Sequence, residues 1–338
     1  TAWASAGKYA LLKDGDEIVI SNGVYAVSEG TVPAGTVTIR GFSTNATDTV
    51  LDAGGTSRVF FMLDTSHAVV RNLTLRNGHP SNYSFGGLAI VNASDFVFSN
   101  VVFSSGMHDK HSGAAHVTHA GLFEDCTFIG CTASNGGGGA VECTVGAEEE
   151  VVFKRCHFNG NQALKDTKWG GGAIAVAGGR VKISDCTFDG NSAPYAGGAV
   201  YVTADAVGAT IEGSTFETNV VTSFSGSTKG GGAIADLKGN VSVDGCVVIK
   251  NDTIYTGGGA ICQGVSTASM VVKNCRFHEN NAVNHYQGGA IYSAAGADGD
   301  LYGPALSNCT FVGHLVNGNG AALYGKFRCV EDCHFTNN

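Results

Sequence analysis

One text returns along most of this chain: Cys-x-Phe-x-x-Asn, a loop, then Gly-Gly-Ala followed by Ile or Val. Its first half falls at Cys126/Phe128, Cys156/Phe158, Cys186/Phe188, Cys246/Val248, Cys275/Phe277, Cys309/Phe311 and Cys333/Phe335. Ser214/Phe216 fills the one gap, and the successive spacings are 30, 30, 28, 32, 29, 34 and 24 residues. Its second half falls at Gly138-Gly139-Ala140, Gly171-Gly172-Ala173, Gly197-Gly198-Ala199, Gly231-Gly232-Ala233, Gly258-Gly259-Ala260 and Gly288-Gly289-Ala290, with Gly320-Ala321-Ala322 a worn copy. An internal period of this size marks a solenoid, in which each repeat stacks on its neighbours.

Each period holds two strand-like runs. One follows the glycines and the other leads into Cys-x-Phe, and both alternate apolar with polar residues as half-buried strands do. Beyond residue 13 no window carries a helical period. Strands without helices, returning about every 30 residues, build a β-helix; a sandwich would need hairpin turns at shorter spacing. The first 120 residues keep the rhythm in weaker text, as in the run from Gly15 to Val27. The expected division is therefore an N-terminal cap segment at 1–14, degenerate coils over 15–120, and regular coils over 121–338, continuous with the preceding part. Ala4, Tyr9, Leu11 and Leu12 would lay an apolar face over the first coil, because an open coil exposes core and unpaired strand edge. At the other end the text breaks off inside a repeat, which raises end-to-end stacking on a second chain as an expectation.

The repeat assigns physical positions. Cys and Phe, two apart, share a face and stack inward, and a buried free Cys is a small hydrophobe. Ser214 in a Cys place supports packing over disulfide bonding. The pairs Cys126/Cys131 and Cys329/Cys333 are the expected exceptions if any bridge forms. The recurring Asn161, Asn191, Asn219, Asn251, Asn280 and Asn338 suit an inward ladder of amides at a bend. The Gly pair suits a corner needing positive φ or close approach.

Composition bears on partners. Gly makes up 50 of 338 residues and charged residues 14%, but the glycines sit at fixed places between β-branched and aromatic runs, which argues against disorder. The net charge of -9 argues against a nucleic-acid partner. There is no long apolar run, so no membrane insertion is expected. No Cys spacing matches a zinc site, and no cofactor is expected.

The alternating Gly-Gly-Ala-[Ile/Val] and Phe-x-x-Asn motifs resemble the passenger repeats of the chlamydial polymorphic membrane proteins, and more widely the bacterial right-handed parallel β-helix repeat proteins. The resemblance is strong over residues 120–338 and weak over 15–120. It implies an all-β chain folded as one right-handed parallel β-helix, here of roughly ten coils and on the order of 50 Å long. It also implies a secreted or cell-surface, adhesin-like role with glycans or host or neighbouring-cell surface proteins as partners. The C-terminal transporter barrel that such passengers carry is not in this sequence.

Fold alone does not decide function, since the same class hosts polysaccharide lyases, hydrolases and tailspikes. The carboxylates are thin and scattered, and the Asp signatures of polygalacturonases are missing. One cluster stands out: His108, Asp109, Lys110, His111, His116 and His119. Its functional reading is a metal or acid–base site for an acidic polysaccharide, on a lyase or hydrolase. The plainer and stronger reading is a polar loop plus one outward strand. An aromatic residue also precedes several Gly pairs, at Trp169, Tyr195, Tyr255 and Tyr286, less regularly at Tyr83 and Phe224. These would either grip a glycan along one edge or close the core as an aromatic ladder, the latter being favoured. The leading expectation is a non-catalytic structural or adhesive domain.

Overall fold

The computed structural model describes residues 14–338 apart from 33, 65, 82–84, 166–169, 223–229, 238–239, 265–269, 285–286 and 295–301. The segment 1–13, with the expected capping residues, lies outside the described residues. Strands pair in parallel along three sheets of 22, 11 and 8 strands. One coil shows the plan. Arg180–Ser184 and Thr187–Asp189 lie in the broad sheet, Ser192–Ala193 in the narrow sheet, and Val200–Val202 in the third. In the next coil Phe216 lies opposite Phe188, Val221 opposite Ala193, and Ile234 opposite Val200. The 11 strands of the third sheet put the coil number at roughly ten, as the repeat implies. The broad sheet runs through residue 120 without a break, because Phe96–Ser104 pairs with both Gly121–Glu124 and Thr127–Ile129.

The inward letters form ladders. Phe103, Phe128, Phe158, Phe188 and Phe216 stack in sequence with centroids 4.6 to 4.7 Å apart. Val248 interrupts the column, and Phe277, Phe311 and Phe335 resume it at 4.8 and 5.0 Å. Parallel strands leave these rings one strand spacing apart, so offset stacking adds about 0.5–1.5 kcal/mol per pair to the burial of each ring. All eleven cysteines are free thiols. Cys156 Sγ donates to Phe123 O and Cys186 Sγ to Phe153 O, at 3.3 and 3.5 Å. Ser214 takes the same place and accepts the Cys186 N–H at 3.1 Å, which explains why Ser replaces Cys without loss of the rung.

The asparagines form the expected ladder. Asn161, Asn191, Asn219 and Asn251 each donate from Nδ2 to Oδ1 of the next rung at 2.8 to 2.9 Å, ending on Asn280. Each also donates to a carbonyl of the preceding coil, as Asn219 does to Phe188 O at 3.0 Å. His314 fills the rung after Asn280, where its Nδ1 takes the Asn280 N–H at 3.0 Å. Burial lowers the His314 pKa to about 4.

The two glycines of a pair do different work. Gly197 has φ +59, open only to a residue without a Cβ clash. Gly198 has no such φ, but a Cβ there would meet Gly232 O at 2.0 Å, so the next coil can approach only a glycine. The bend before each rung of this column, Cys131 and His314 included, is left-handed too. Glycine occupies it at Gly130, Gly160, Gly190 and Gly313, whereas Thr218, Lys250, Glu279 and Asn337 adopt φ of 55, 53, 50 and 52.

Candidate functional site

Much of the outward face of the third sheet is buried, at His116, Glu142, Ala175, Tyr201, Ala235 and Cys262. On that face His116 and Glu142 are register partners in adjacent coils. Both are buried, at 4% and 5% exposure. His111 reaches down from the covering segment, and its Nδ1 and that of His116 lie 3.1 and 3.2 Å from the same oxygen, Glu142 Oε2. A carboxylate only accepts, so both imidazoles donate. Burial pushes the Glu142 carboxyl up, but the two imidazoles outweigh it and hold the pKa at about 2. Phe85 closes the top, its ring centroid 4.1 Å from that of His111 and 4.3 Å from that of His116.

The other residues of the cluster go elsewhere. His108 points inward from Met107–His108, and its Nδ1 accepts the N–H groups of Lys110 and His111 at 3.1 and 2.8 Å. It thereby folds the turn that delivers His111. Asp109 is exposed and accepts from His79 Nε2 at 3.0 Å. Lys110 is exposed at the turn. His119 pairs with Glu149 at 3.1 Å, whose other oxygen takes the Gly146 N–H at 2.7 Å. The four histidines thus divide between interior, sheet face and turn. Among the described residues no group of three or more His, Cys, Asp or Glu is placed to hold a metal ion.

A family model described as "Right handed beta helix region" matches residues 21–252 and 167–338. The chain belongs to the right-handed β-helix family. No curated protein matches it. A solved structure described as "a new PL6 alginate lyase complex with trisaccharide" aligns over 98% of this chain and 80% of that chain, with 14% identity and a TM-score of 0.46.

Within this β-helix the aromatic residues before the glycines are divided. Tyr195 is half-buried and packs edge-on against buried Tyr201, with centroids 6.0 Å apart. Tyr255 is also half-buried, and Trp169, Tyr286, Tyr83 and Phe224 lie outside the described residues. Tyr195 therefore covers the sheet and does not project as a gripping edge. Sequence reasoning missed Glu142 and Phe85. The signal for Glu142 lay in the register: Gly113-Ala114-Ala115 aligns with Gly139-Ala140-Val141, which sets His116 beside Glu142. Phe85 carried no such signal.

The geometry defines what the cluster can do. Glu142 fixes the His111 ring through Nδ1 and leaves Nε2 on a side chain that is 29% exposed. A carboxylate-oriented imidazole is an acid–base element. His116 is sealed beneath Phe85, with its Nε2 3.3 Å from Thr144 Oγ1, and serves to hold the carboxylate.

Proposed function

We propose that this β-helix is a secreted or cell-surface structural and adhesive domain, a stiff rod of the passenger kind. The observation that supports this reading is the division of the repeat. The recurring Phe, Cys and Asn form interior ladders with only conservative lapses at Val248, Ser214 and His314, while the outward positions change from coil to coil. In the broad sheet, for example, the outward partners Thr187, Thr215, Val247 and Arg276 follow one another beside an interior column of Phe188, Phe216, Val248 and Phe277. Such a rod keeps its length and presents a varied surface to glycans or to proteins of a neighbouring cell. The test is retention of beads coated with the chain on a cell monolayer under flow. Saturable retention, competed by soluble chain, supports the reading; retention no greater than that of albumin-coated beads rejects it.

The His111–Glu142 pair favours a second reading, an acid–base enzyme acting on an acidic glycan, with Lys110 at the same turn to meet a uronate. Its test is the ultraviolet absorbance of an unsaturated uronate on polymannuronate, polyguluronate and polygalacturonate. Release that disappears in His111→Ala supports the enzyme; neither unsaturated uronate nor new reducing ends on any of the three rejects it.

A further inference from the structure

A groove of about 610 Å³ runs along the bend between the broad and narrow sheets, over the asparagine ladder and away from the His111 cluster. Two rails line it. The first is the left-handed position, where three successive coils set Thr218, Lys250 and Glu279 in place of the glycine used at Gly130, Gly160 and Gly190. A left-handed conformation is disfavoured for such residues, for the β-branched Thr most of all. Non-glycine residues held there mark places where the side chain matters. The second rail is the outward column Val220, Asp252, Asn281 and Leu315, one residue per coil.

The rails carry complementary groups. Lys250 Nζ lies 4.0 Å from Glu279 Oε2, too far for a tight pair, and both side chains are about half exposed, at 56% and 46%. Asp252 is half-buried, and burial raises its pKa against the opposing pull of the neighbouring Asn281. Its Oδ1 has no hydrogen-bond partner among the described residues. Leu315, 68% exposed, gives the groove an apolar end. Polar groups of Thr218, Lys250, Asp252, Glu279 and Asn281 therefore line three successive coils over about 10 Å.

We infer that this groove binds a short stretch of a neutral, hydroxyl-rich glycan laid along the rod axis. Hydroxyls both donate and accept, so one chain can meet the ammonium of Lys250 and the carboxylates of Asp252 and Glu279. One cation against two carboxylates disfavours a uronate polymer. An added peptide strand is excluded at the narrow sheet, because Asp252–Thr253 is already paired on both sides, with Val220–Val221 and Asn281–Ala282. The inference goes beyond the adhesive reading: a rod can adhere through protein contacts with this groove empty, and a sugar-binding groove does not require cell adhesion.

The test is isothermal titration with cellohexaose, laminarihexaose and chitohexaose as neutral probes and oligoguluronate as the anionic one. The expected result is saturable binding of at least one neutral hexamer, weaker by about tenfold or more in Lys250→Gly/Glu279→Gly and in Asp252→Asn. The double glycine variant relieves two left-handed residues, so its melting temperature should be equal or higher, which separates lost binding from lost fold. No binding of the neutral panel at millimolar concentration overturns the inference. So does a preference for oligoguluronate, or unchanged affinity in both variants.

Discussion

Replacing Asn219 by Ala should unfold one region of the rod before the rest. Asn219 is fully buried. Its Oδ1 accepts the Asn191 backbone N–H at 3.0 Å and Asn191 Nδ2 at 2.9 Å. Its Nδ2 donates to Phe188 O at 3.0 Å and to Asn251 Oδ1 at 2.8 Å. Alanine orphans the Asn191 N–H outright. It takes one of two partners from the Asn191 amide, which still reaches Phe158 O. Asn251 Oδ1 keeps the Asn219 backbone N–H and stays satisfied. An orphaned buried donor costs about 1–3 kcal/mol and each further lost bond about 1 kcal/mol, so the expected loss is about 4 kcal/mol. Asn338→Ala, at an exposed rung where water substitutes, should cost under about 1 kcal/mol. Guanidinium unfolding measures the total, and hydrogen exchange read by mass spectrometry locates it. Because a solenoid coil contacts only its neighbours, protection should fall first over residues 186–222. A loss below about 1 kcal/mol for Asn219→Ala, or a uniform loss of protection, would refute the reasoning.

Three further outcomes are expected. His314 titrates at about 4 in the fold against 6.5 when unperturbed. Between those values the unfolded chain binds the extra proton, so the contribution is full above pH 6.5 and about 3 kcal/mol is lost as pH falls to 4; in His314→Asn, which restores an amide rung, that part of the pH slope should vanish from urea unfolding curves. Gly198→Ala should cost more than about 3 kcal/mol, because the Cβ meets the backbone of the next coil. Gly190→Ala should cost about 1 kcal/mol, since φ is +60 but the nearest atom is 4.0 Å away. For Glu142, held at about 2 against 4.5, stability present above pH 4.5 falls as pH drops toward 2, by up to about 3 kcal/mol; thermal melts of Glu142→Gln should lack that dependence.

Fold and site differ in how far the sequence exposes them. The Phe, Cys and Asn ladders were legible because each rung repeats one residue type in one register, and every copy reinforces the assignment. His314 was not, since a single His in an Asn column looks like a lapse in the repeat until its Nδ1 is found taking the ladder N–H. The split between Gly197 and Gly198 was legible only as an alternative, positive φ or close approach, and both proved present on adjacent residues. The density of the histidine cluster did not show which of its members share a site. Proximity in sequence scatters residues over different faces of a coil, as His108 and His119 show, while the true neighbour of His116 is Glu142, one coil later. Pairings across coils become visible only when the degenerate repeat around Gly113 is set in register with the regular ones.

Native-state thiol alkylation tests most directly the claim that the repeated letters form the interior of the rod. Nine cysteines are buried and two, Cys329 and Cys333, are half-exposed. Brief alkylation without denaturant, followed by peptide mass spectrometry, should label Cys329 and Cys333 and spare Cys126, Cys156, Cys186, Cys246, Cys275 and Cys309. Fast labelling of those six, or disulfides between them, would contradict it.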